Sequence, residues 1–377
     1  MAIDLDEVRG RLSAQGQQAT PVAVADALRW LGHVVSDASV LATVDQLRRD
    51  SRGAGPLEPL LRDPAVTDVL VNGPDAVYVD RGGGLERAPV TFSSEEEVRR
   101  LGVRLAAMVG RRLDDGQPFV DARLPDGTRV HAVLGSVAHP GTCLSLRVPS
   151  RVRLTLDDWR GSGLSAAGVD ALRDLVAARR AFLISGGTGT GKTTLLSSLL
   201  GEVPGRERLV IVEDSRELDP PHPHVVRLEG RPPNAEGAGA VTLTQLVRQA
   251  LRMRPDRLVV GEVRGAELTD LLIALNTGHE GGCGTIHANS AEAVVARLEA
   301  LGALGGLDRS ALHAQVAAAL EVVVQLRRDG GRRFVEQIAV FEPGHDGLVR
   351  CVPALTFDVD GAMTWGSGRG RLRRALG

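Results

Sequence analysis

Cysteine, aromatic residues, net charge and long apolar runs are all scarce in this chain, and each scarcity removes a class of protein. The three cysteines, Cys143, Cys283 and Cys351, are odd in number, far apart and without metal-ligand spacing. That argues against a disulfide framework and for a reducing compartment, with the thiols packed as small hydrophobes. His222 and His224 flank Pro223 with no cysteine nearby, so they make no zinc pattern. Aromatic residues amount to 3%, too few for the stacking stripe that grips single-stranded nucleic acid. A formal net charge of −2 gives no broad basic surface either, so there is no strong nucleic-acid signal. No apolar run approaches the roughly 18 residues of a membrane helix, and the acidic N-terminus is no signal peptide. The expected location is cytoplasmic.

What is present is dominated by one stretch. An apolar, strand-like run, Ala181-Phe182-Leu183-Ile184, leads into a loop of small residues that ends in Gly191-Lys192-Thr193 and opens a helix-like segment. Strand, G-x-x-x-x-G-K-[ST] and helix occur in the context a phosphate loop requires. Gly186, Gly187, Gly189 and Gly191 lack a Cβ, so the backbone can turn its N–H groups inward around phosphate oxygens. The helix that follows points its positive end at the same anion. Lys192 is expected to reach the β/γ-phosphates and the Thr193 hydroxyl to ligate Mg²⁺, with Thr188, Thr190 and Thr194 completing the loop. The sequence predicts a nucleoside triphosphate site.

The 377 residues allow two or three domains. Residues 1–55 are expected to be a helical extension: Thr20-Pro21 reads as a cap and first helical position, and Val24, Leu28, Leu31 and Val35 follow at helical spacing. Residues 51–55 look like a linker. Residues 56–150 change to short β segments at 67–71, 76–79, 85–92, 119–124, 129–134 and 142–148, with a helix from a Ser94–Glu97 capping box to about 109. That is a compact α+β domain. Residues 151–164 read as a connector. From 165 to 345 strands alternate with helices, which argues for an α/β fold whose sheet is mostly parallel, closed by a helix and a pair of strands at 322–327 and 332–341. Residues 346–377 are expected to be a tail, disordered from Gly366 by its glycine and arginine content.

A hydrolase built on a phosphate loop needs carboxylates for Mg²⁺ and for the attacking water. Two apolar strands end in acids. Ile211-Val212 is followed by Glu213-Asp214, with Glu217 beyond, and Leu258-Val259-Val260 is followed by Gly261-Glu262. Glu213 and Glu262 are therefore candidate Mg²⁺ ligands, and with Glu217 candidate water-handling groups. His279 and His287 lie near a further strand edge, where a near-neutral imidazole could sense the γ-phosphate. For the transition-state charge, arginines stand near strand ends at 252, 254 and 264. Arg123, Arg129 and Arg147 lie on strands around one Asp-Gly hairpin of the α+β domain. No Asn-Lys-x-Asp occurs, which weakens a GTPase reading.

Four stretches together resemble one family. GGTGTGKTT, IVEDSREL, RPPNAEGAGAVTLTQLVRQALRMRPDRLVVGEVRGAE and NTGHEGGCGTIHANS look like the Walker A, Asp, Walker B and His boxes of the type II/type IV secretion ATPases. TDVLVNGPDAVYVDR and VDARLPDGTRVHAV are similar to the N-terminal domain of the CpaF/TadA type, which powers tight-adherence (Flp) pilus assembly and includes members labelled for conjugal transfer. The resemblance covers about 56–341. It implies a RecA-like P-loop domain preceded by a smaller, PAS-like α+β domain. It also implies a homohexameric ATPase using ATP and Mg²⁺, peripheral to the inner face of the cytoplasmic membrane and acting on inner-membrane platform proteins. Carried over by motif, Lys192 and Thr193 bind phosphate and Mg²⁺, Glu213 or Glu217 and Glu262 handle water and metal, and His287 is the sensor. Arginines of the N-terminal domain complete the site. The alternative is a ring that translocates nucleic acid in conjugal transfer.

Overall fold

The computed structural model describes residues 5–15, 20–149, 153–160, 164–233, 237–329 and 332–377. The chain divides into two compact units, Met1–Arg151 and Val152–Gly377. The ends of the expected connector, 151–152 and 161–163, lie outside the described residues.

The first unit opens with three helices, α1 (Leu5–Ala14), α2 (Pro21–Trp30) and α3 (Asp37–Arg52). Thr20 caps α2: its Oγ1 accepts the Ala23 N–H at 3.3 Å, and Pro21 sits where its missing N–H costs nothing. Val8, Leu12, Val24, Leu28, Val40 and Val44 close a small core among the three helices. Residues 51 and 52, expected in a linker, continue α3 instead, and a short turn at Gly55–Leu57 follows.

Next come α4 (Glu58–Arg62), β1 (Asp68–Asn72), β2 (Val77–Asp80), β3 (Leu85–Arg87), α5 (Glu95–Ala107), β4 (Phe119–Arg123), β5 (Arg129–Val133) and β6 (Cys143–Arg147). The strands form one antiparallel sheet in the order β3-β2-β1-β6-β5-β4. The expected strand 85–92 stops after Arg87, and the Ala88 N–H returns to the Val77 carbonyl at 2.8 Å. Ser94 caps α5 by accepting the Glu97 N–H, while the Glu97 carboxylate takes the Ser93 N–H and hydroxyl rather than closing a reciprocal box. Val98, Leu101 and Leu105 carry α5 into the core under the sheet. The register sets Arg123 opposite Arg129, Arg129 opposite Arg147, and Arg147 opposite Asp68.

The second unit runs α6 (Ala166–Ala177), β7 (Phe182–Ser185), α7 (Lys192–Gly201), β8 (Leu209–Glu213), β9 (Val225–Glu229), α8 (Leu243–Ala250), β10 (Arg257–Val260), α9 (Glu267–Leu275) and β11 (Cys283–Ile286). It continues with α10 (Ala293–Leu304), α11 (Arg309–Ala319), β12 (Val322–Asp329), β13 (Arg332–Pro343), β14 (Val349–Phe357), β15 (Met363–Trp365) and α12 (Arg369–Leu376). Its nine strands lie in the order β15-β14-β13-β12-β7-β11-β10-β8-β9. Pairing is parallel from β12 to β9 and antiparallel from β12 to β15. β7, β8, β10 and β11 are buried along their whole length, as parallel strands covered on both faces are. Alternate residues feed two cores. Phe182 and Ile184 pack with Leu172, Leu195, Leu199 and Leu372 on one face; Leu183 packs with Leu268, Leu272, Val294 and Leu312 on the other.

The expected disordered tail is folded. β15 pairs with β14, and Leu372 of α12 is buried in the core. Arg369 and Arg373 lie over the Trp365 ring at 4.5 and 5.3 Å, and Arg180 Nε donates to the Ala375 carbonyl at 2.6 Å. The expected tail 346–377 thus holds two sheet strands, β14 and β15, and the glycine- and arginine-rich part from Gly366 hid helix α12 with its anchoring Leu372.

Candidate active site

β7 lies in the interior of the sheet, and its carboxyl end delivers the loop 186–191 onto α7. Gly191 is the N-cap of α7 with φ +94°, a left-handed conformation that glycine adopts without steric cost. The next residue, Lys192, is the single lysine among 45 basic residues of the chain. It is buried, and its Nζ donates to the carbonyls of Gly186 and Gly187 at 2.9 and 2.8 Å. Burial pulls its pKa below the ordinary lysine value, with Glu262 opposing and Arg264 reinforcing. Thr190 Oγ1 donates to the Gly187 carbonyl at 2.9 Å, so the loop is braced from within.

The two acid-bearing strand ends behave differently. Glu213 ends β8 with its carboxylate turned into its own following loop: Oε1 accepts the Glu217 and Leu218 N–H groups, both at 3.0 Å. A Cβ on Gly261 would stand 2.5 Å from Glu213 Cγ, so the glycine after β10 makes the room that side chain occupies. Glu213 Oε2 is buried without a hydrogen-bond partner among the described residues. Burial raises the Glu213 pKa to about 7, against the two backbone hydrogen bonds. Of the two glutamates on this loop it is Glu217 that lies beside Thr193, Oε2 to Oγ1 at 3.5 Å.

Glu262 sits beyond β10 on a loop that Glu267 holds: Glu267 Oε1 accepts the Arg264 and Gly265 N–H groups at 2.6 and 2.8 Å. Val263 N–H donates to the Thr285 carbonyl and Thr285 Oγ1 to the Gly261 carbonyl, which ties this loop to β11. The structure brings Glu262 and His287 together, Nε2 to Oε1 at 3.0 Å. Arg264 bridges Glu262 and Asp214, the latter at 2.7 Å. Burial works to raise the Glu262 pKa. The Arg264 hydrogen bond and the charges of Arg264, His287 and Lys192 outweigh it, and the carboxyl stays below its ordinary range. His287 titrates below its ordinary value, first through burial and then through Lys192. It is therefore mainly neutral at pH 7, able to donate one hydrogen bond.

Sequence reasoning named Asp214, Gly261 and Arg264 at strand ends without assigning them a contact with Glu213 or Glu262. It missed Glu267, whose local signal is an acid in the first turn of a helix just after the Glu262 loop. His279 is half-buried, and its Nδ1 lies 3.3 Å from the Ala274 carbonyl of α9. Arg123, Arg129 and Arg147 belong to the first unit, abreast in one row.

Among the described residues no three His, Cys, Asp or Glu side chains gather into a metal cage. Mg²⁺ needs none, since it is held by one or two carboxylates together with substrate phosphates and water. The Thr193 hydroxyl and the unpartnered buried oxygen of Glu213 are hard oxygen donors of the kind it takes.

A pH signature follows from Glu213. The folded state keeps this proton up to about pH 7, whereas an exposed glutamate releases it near 4.3. Between those values the folded state binds more protons, so stability falls as pH rises and the loss is complete above pH 7. Its size is on the order of 3 kcal/mol. Glu213→Gln keeps an acceptor for the two backbone N–H groups and removes the proton. Thermal melts without nucleotide or Mg²⁺ are expected to shift in favour of the variant between pH 5 and pH 8. A difference that is the same at both pH values would show that the carboxyl is ordinary.

Similarity to known proteins joins the geometry here. The type II/IV secretion system protein family matches residues 50–344. The chain belongs to that family. A Mycobacterium tuberculosis protein named for conjugal transfer is 54% identical over 327 residues, covering 85% of this chain and 93% of its own. The type IV secretion system protein PtlH of Bordetella pertussis is 36% identical over 313 residues, covering 75% and 92%. Among solved structures, the Legionella pneumophila ATPase DotB superposes with a TM-score of 0.52 over 81% of this chain and 80% of its own. At 19% identity it supports the shared α/β fold alone.

Proposed function

We propose that this chain is an ATP-hydrolysing motor that powers pilus assembly or protein secretion. It works as a homohexamer at the inner face of the cytoplasmic membrane, on inner-membrane platform proteins. The observation that carries the reading is the single lysine of the chain, buried at the head of α7 on a glycine loop, with Glu262, which pairs with His287, close enough to act on its charge. Bound Mg²⁺ would neutralise charge between the β- and γ-phosphates.

In this reading the backbone of 186–194 and Lys192 hold the phosphates, and Thr193 with Glu213 or Glu262 holds the metal. Glu262 orients the attacking water. Arg264 holds its carboxylate, and the single N–H of neutral His287, on Glu262 without nucleotide, turns to the γ-phosphoryl oxygens when ATP is bound. Glu217, beside Thr193, is the second acid available for water. The domain arrangement that goes with this is a RecA-like motor domain from about 165 and a PAS-like domain over 56–150. The test is steady phosphate release from Mg-ATP by the purified full chain. The relative named for conjugal transfer motivates a second reading, a nucleic-acid-translocating ring; stimulation of turnover by DNA would select it.

The arginine row carries its own prediction. Arg123, Arg129 and Arg147 are successive neighbours in the strand register, and Arg147 Nε pairs with Asp68 at 3.2 Å. A guanidinium near the γ-phosphoryl group is worth roughly 10³-fold in turnover. Arg129→Ala, at the centre, is expected to lower kcat most, with smaller losses for Arg123→Ala and Arg147→Ala. ATPase assays paired with melting temperatures check this. Parent-like turnover in all three, or losses that follow unfolding, would count against the role.

A further inference from the structure

α12 is a basic helix that the proposed motor cycle leaves unused. Residues 361–377 carry four arginines and no acid, in a chain whose formal net charge is −2. All four arginines lie on α12. Leu372 is buried in the core and Leu376 packs against it, which docks the helix. Arg369, Arg373 and Arg374 are exposed, and Arg371 is half-buried. Arg369 and Arg373, one helical turn apart, lie over the ring of Trp365, itself 41% exposed. Arginines of the neighbouring strands are paired, Arg327 with Glu336, Arg332 with Asp360 and Arg350 with Asp346. Those of α12 have no carboxylate partner among the described residues. Helix stability accounts for Arg373 and Arg374, which sit in the last turn where the helix dipole favours cations. Arg369 and Arg371 sit in a first turn without acids, where the dipole disfavours them. The Trp365 ring partners Arg369, whereas Arg371 has neither ring nor carboxylate.

We propose that the basic face of α12, together with Trp365, is a docking surface for an anionic phospholipid membrane. Such a surface attracts each arginine at its level by an amount corresponding to roughly fivefold in affinity. An aromatic ring half out of water is a side chain that membrane interfaces favour. Single-stranded nucleic acid, another polyanion, stacks its bases on open rings; here two guanidiniums already lie over Trp365, which favours lipid. Leu372 and Leu376 face the protein, so α12 has no apolar face left to insert. The contact therefore stays at headgroup level, needs anionic lipid and weakens steeply with salt. Arg180, just before β7, donates to the Ala375 carbonyl, which puts the last turn of α12 at the amino end of that strand. The phosphate loop follows the carboxyl end, so docking is expected to leave basal ATP turnover unchanged. Such a contact deepens the proposed placement at the membrane: it belongs to the chain itself and needs neither partner proteins nor ATP hydrolysis.

The experiment is titrated flotation of the purified full chain with vesicles of phosphatidylcholine alone, or mixed equally with phosphatidylglycerol, at low and high salt. Parent, the double variant Arg371→Glu with Arg374→Glu, the double variant Arg369→Ala with Arg373→Ala, and a variant with all four arginines changed to lysine are compared. Melting temperature and phosphate release are measured for each. The parent is expected to float only with phosphatidylglycerol vesicles and to be released by high salt. The glutamate variant is expected to bind at least about a hundredfold more weakly at parent turnover. The lysine variant is expected to keep binding, because a lipid surface reads charge rather than the planar fork. No flotation of the parent, equal flotation with phosphatidylcholine alone, or parent-like binding by the folded glutamate variant would overturn the proposal. So would loss of binding in the folded lysine variant. A glutamate variant that keeps vesicle binding but loses DNA binding, or changes oligomeric state, would assign the surface to nucleic acid or to a second copy and also overturn it. Should the glutamate variant melt early, the alanine variant decides: parent-like vesicle affinity there overturns the lipid contact, and weakened affinity supports it. Failed flotation with ATP turnover intact removes the lipid contact and leaves the motor reading; flotation without turnover does the reverse.

Discussion

Lys192→Ala is expected to abolish ATP turnover while leaving the fold intact. The ammonium is the single lysine charge in the chain, and at the head of α7 it adds a cation to the positive end of the helix dipole. It rests on the Gly186 and Gly187 carbonyls, two acceptors of the loop itself, so moving to a phosphate exchanges weak partners for a charged one. Charge that builds on the γ-phosphoryl oxygens in the transition state then has no counter-charge in the variant, a loss of at least about 10²-fold. The surrounding core does not depend on the amine, since Leu195, Leu196 and Leu199 hold α7 in place. A folded variant that binds Mg-ATP normally and turns it over at the parent rate would remove the site assignment. Having one lysine also permits a direct check. An amine-directed reagent can modify only Lys192 and the N-terminal amine, and ATP is expected to protect the former.

Glu262→Gln separates binding from chemistry. The carboxylate is held charged by Arg264 and oriented from the other side by His287 at 3.0 Å, in the arrangement a water-positioning group needs. The amide keeps size and shape and loses the charge. ATP is expected to remain bound while kcat falls on the order of 10²-fold or more. Single-turnover and equilibrium-binding measurements distinguish the outcomes. Lost affinity with retained kcat would make Glu262 a binding group instead.

How much of this could be read in the chain varies with how far its determinants lie apart. The phosphate loop is contiguous, so its glycines, Lys192 and Thr193 are evident from letters alone. The two acid-bearing strand ends were visible too, as apolar runs that stop at Glu213 and Glu262. Side-chain direction was not. Glu213 turns toward 217 and 218 because Gly261, 48 positions further on, leaves the space, and no local pattern carries that. The Asp214–Arg264–Glu262–His287 group draws on three loops brought together by the order β11-β10-β8. Strand pairing likewise creates the row Arg123–Arg129–Arg147: the Asp-Gly turn suggested the first pair, whereas β6 joins them by register. At the C-terminus, composition misled. Leu372 and the Trp365 stack are single contacts inside a stretch that otherwise reads as disordered.

The most direct test of the motor reading is continuous measurement of phosphate release from ATP by the purified full-length chain, with Mg²⁺ and with a chelator. The account predicts sustained release over many equivalents per subunit that requires Mg²⁺ and disappears in Lys192→Ala. Tight ATP binding with no release beyond one equivalent, or release that persists in Lys192→Ala, would contradict it.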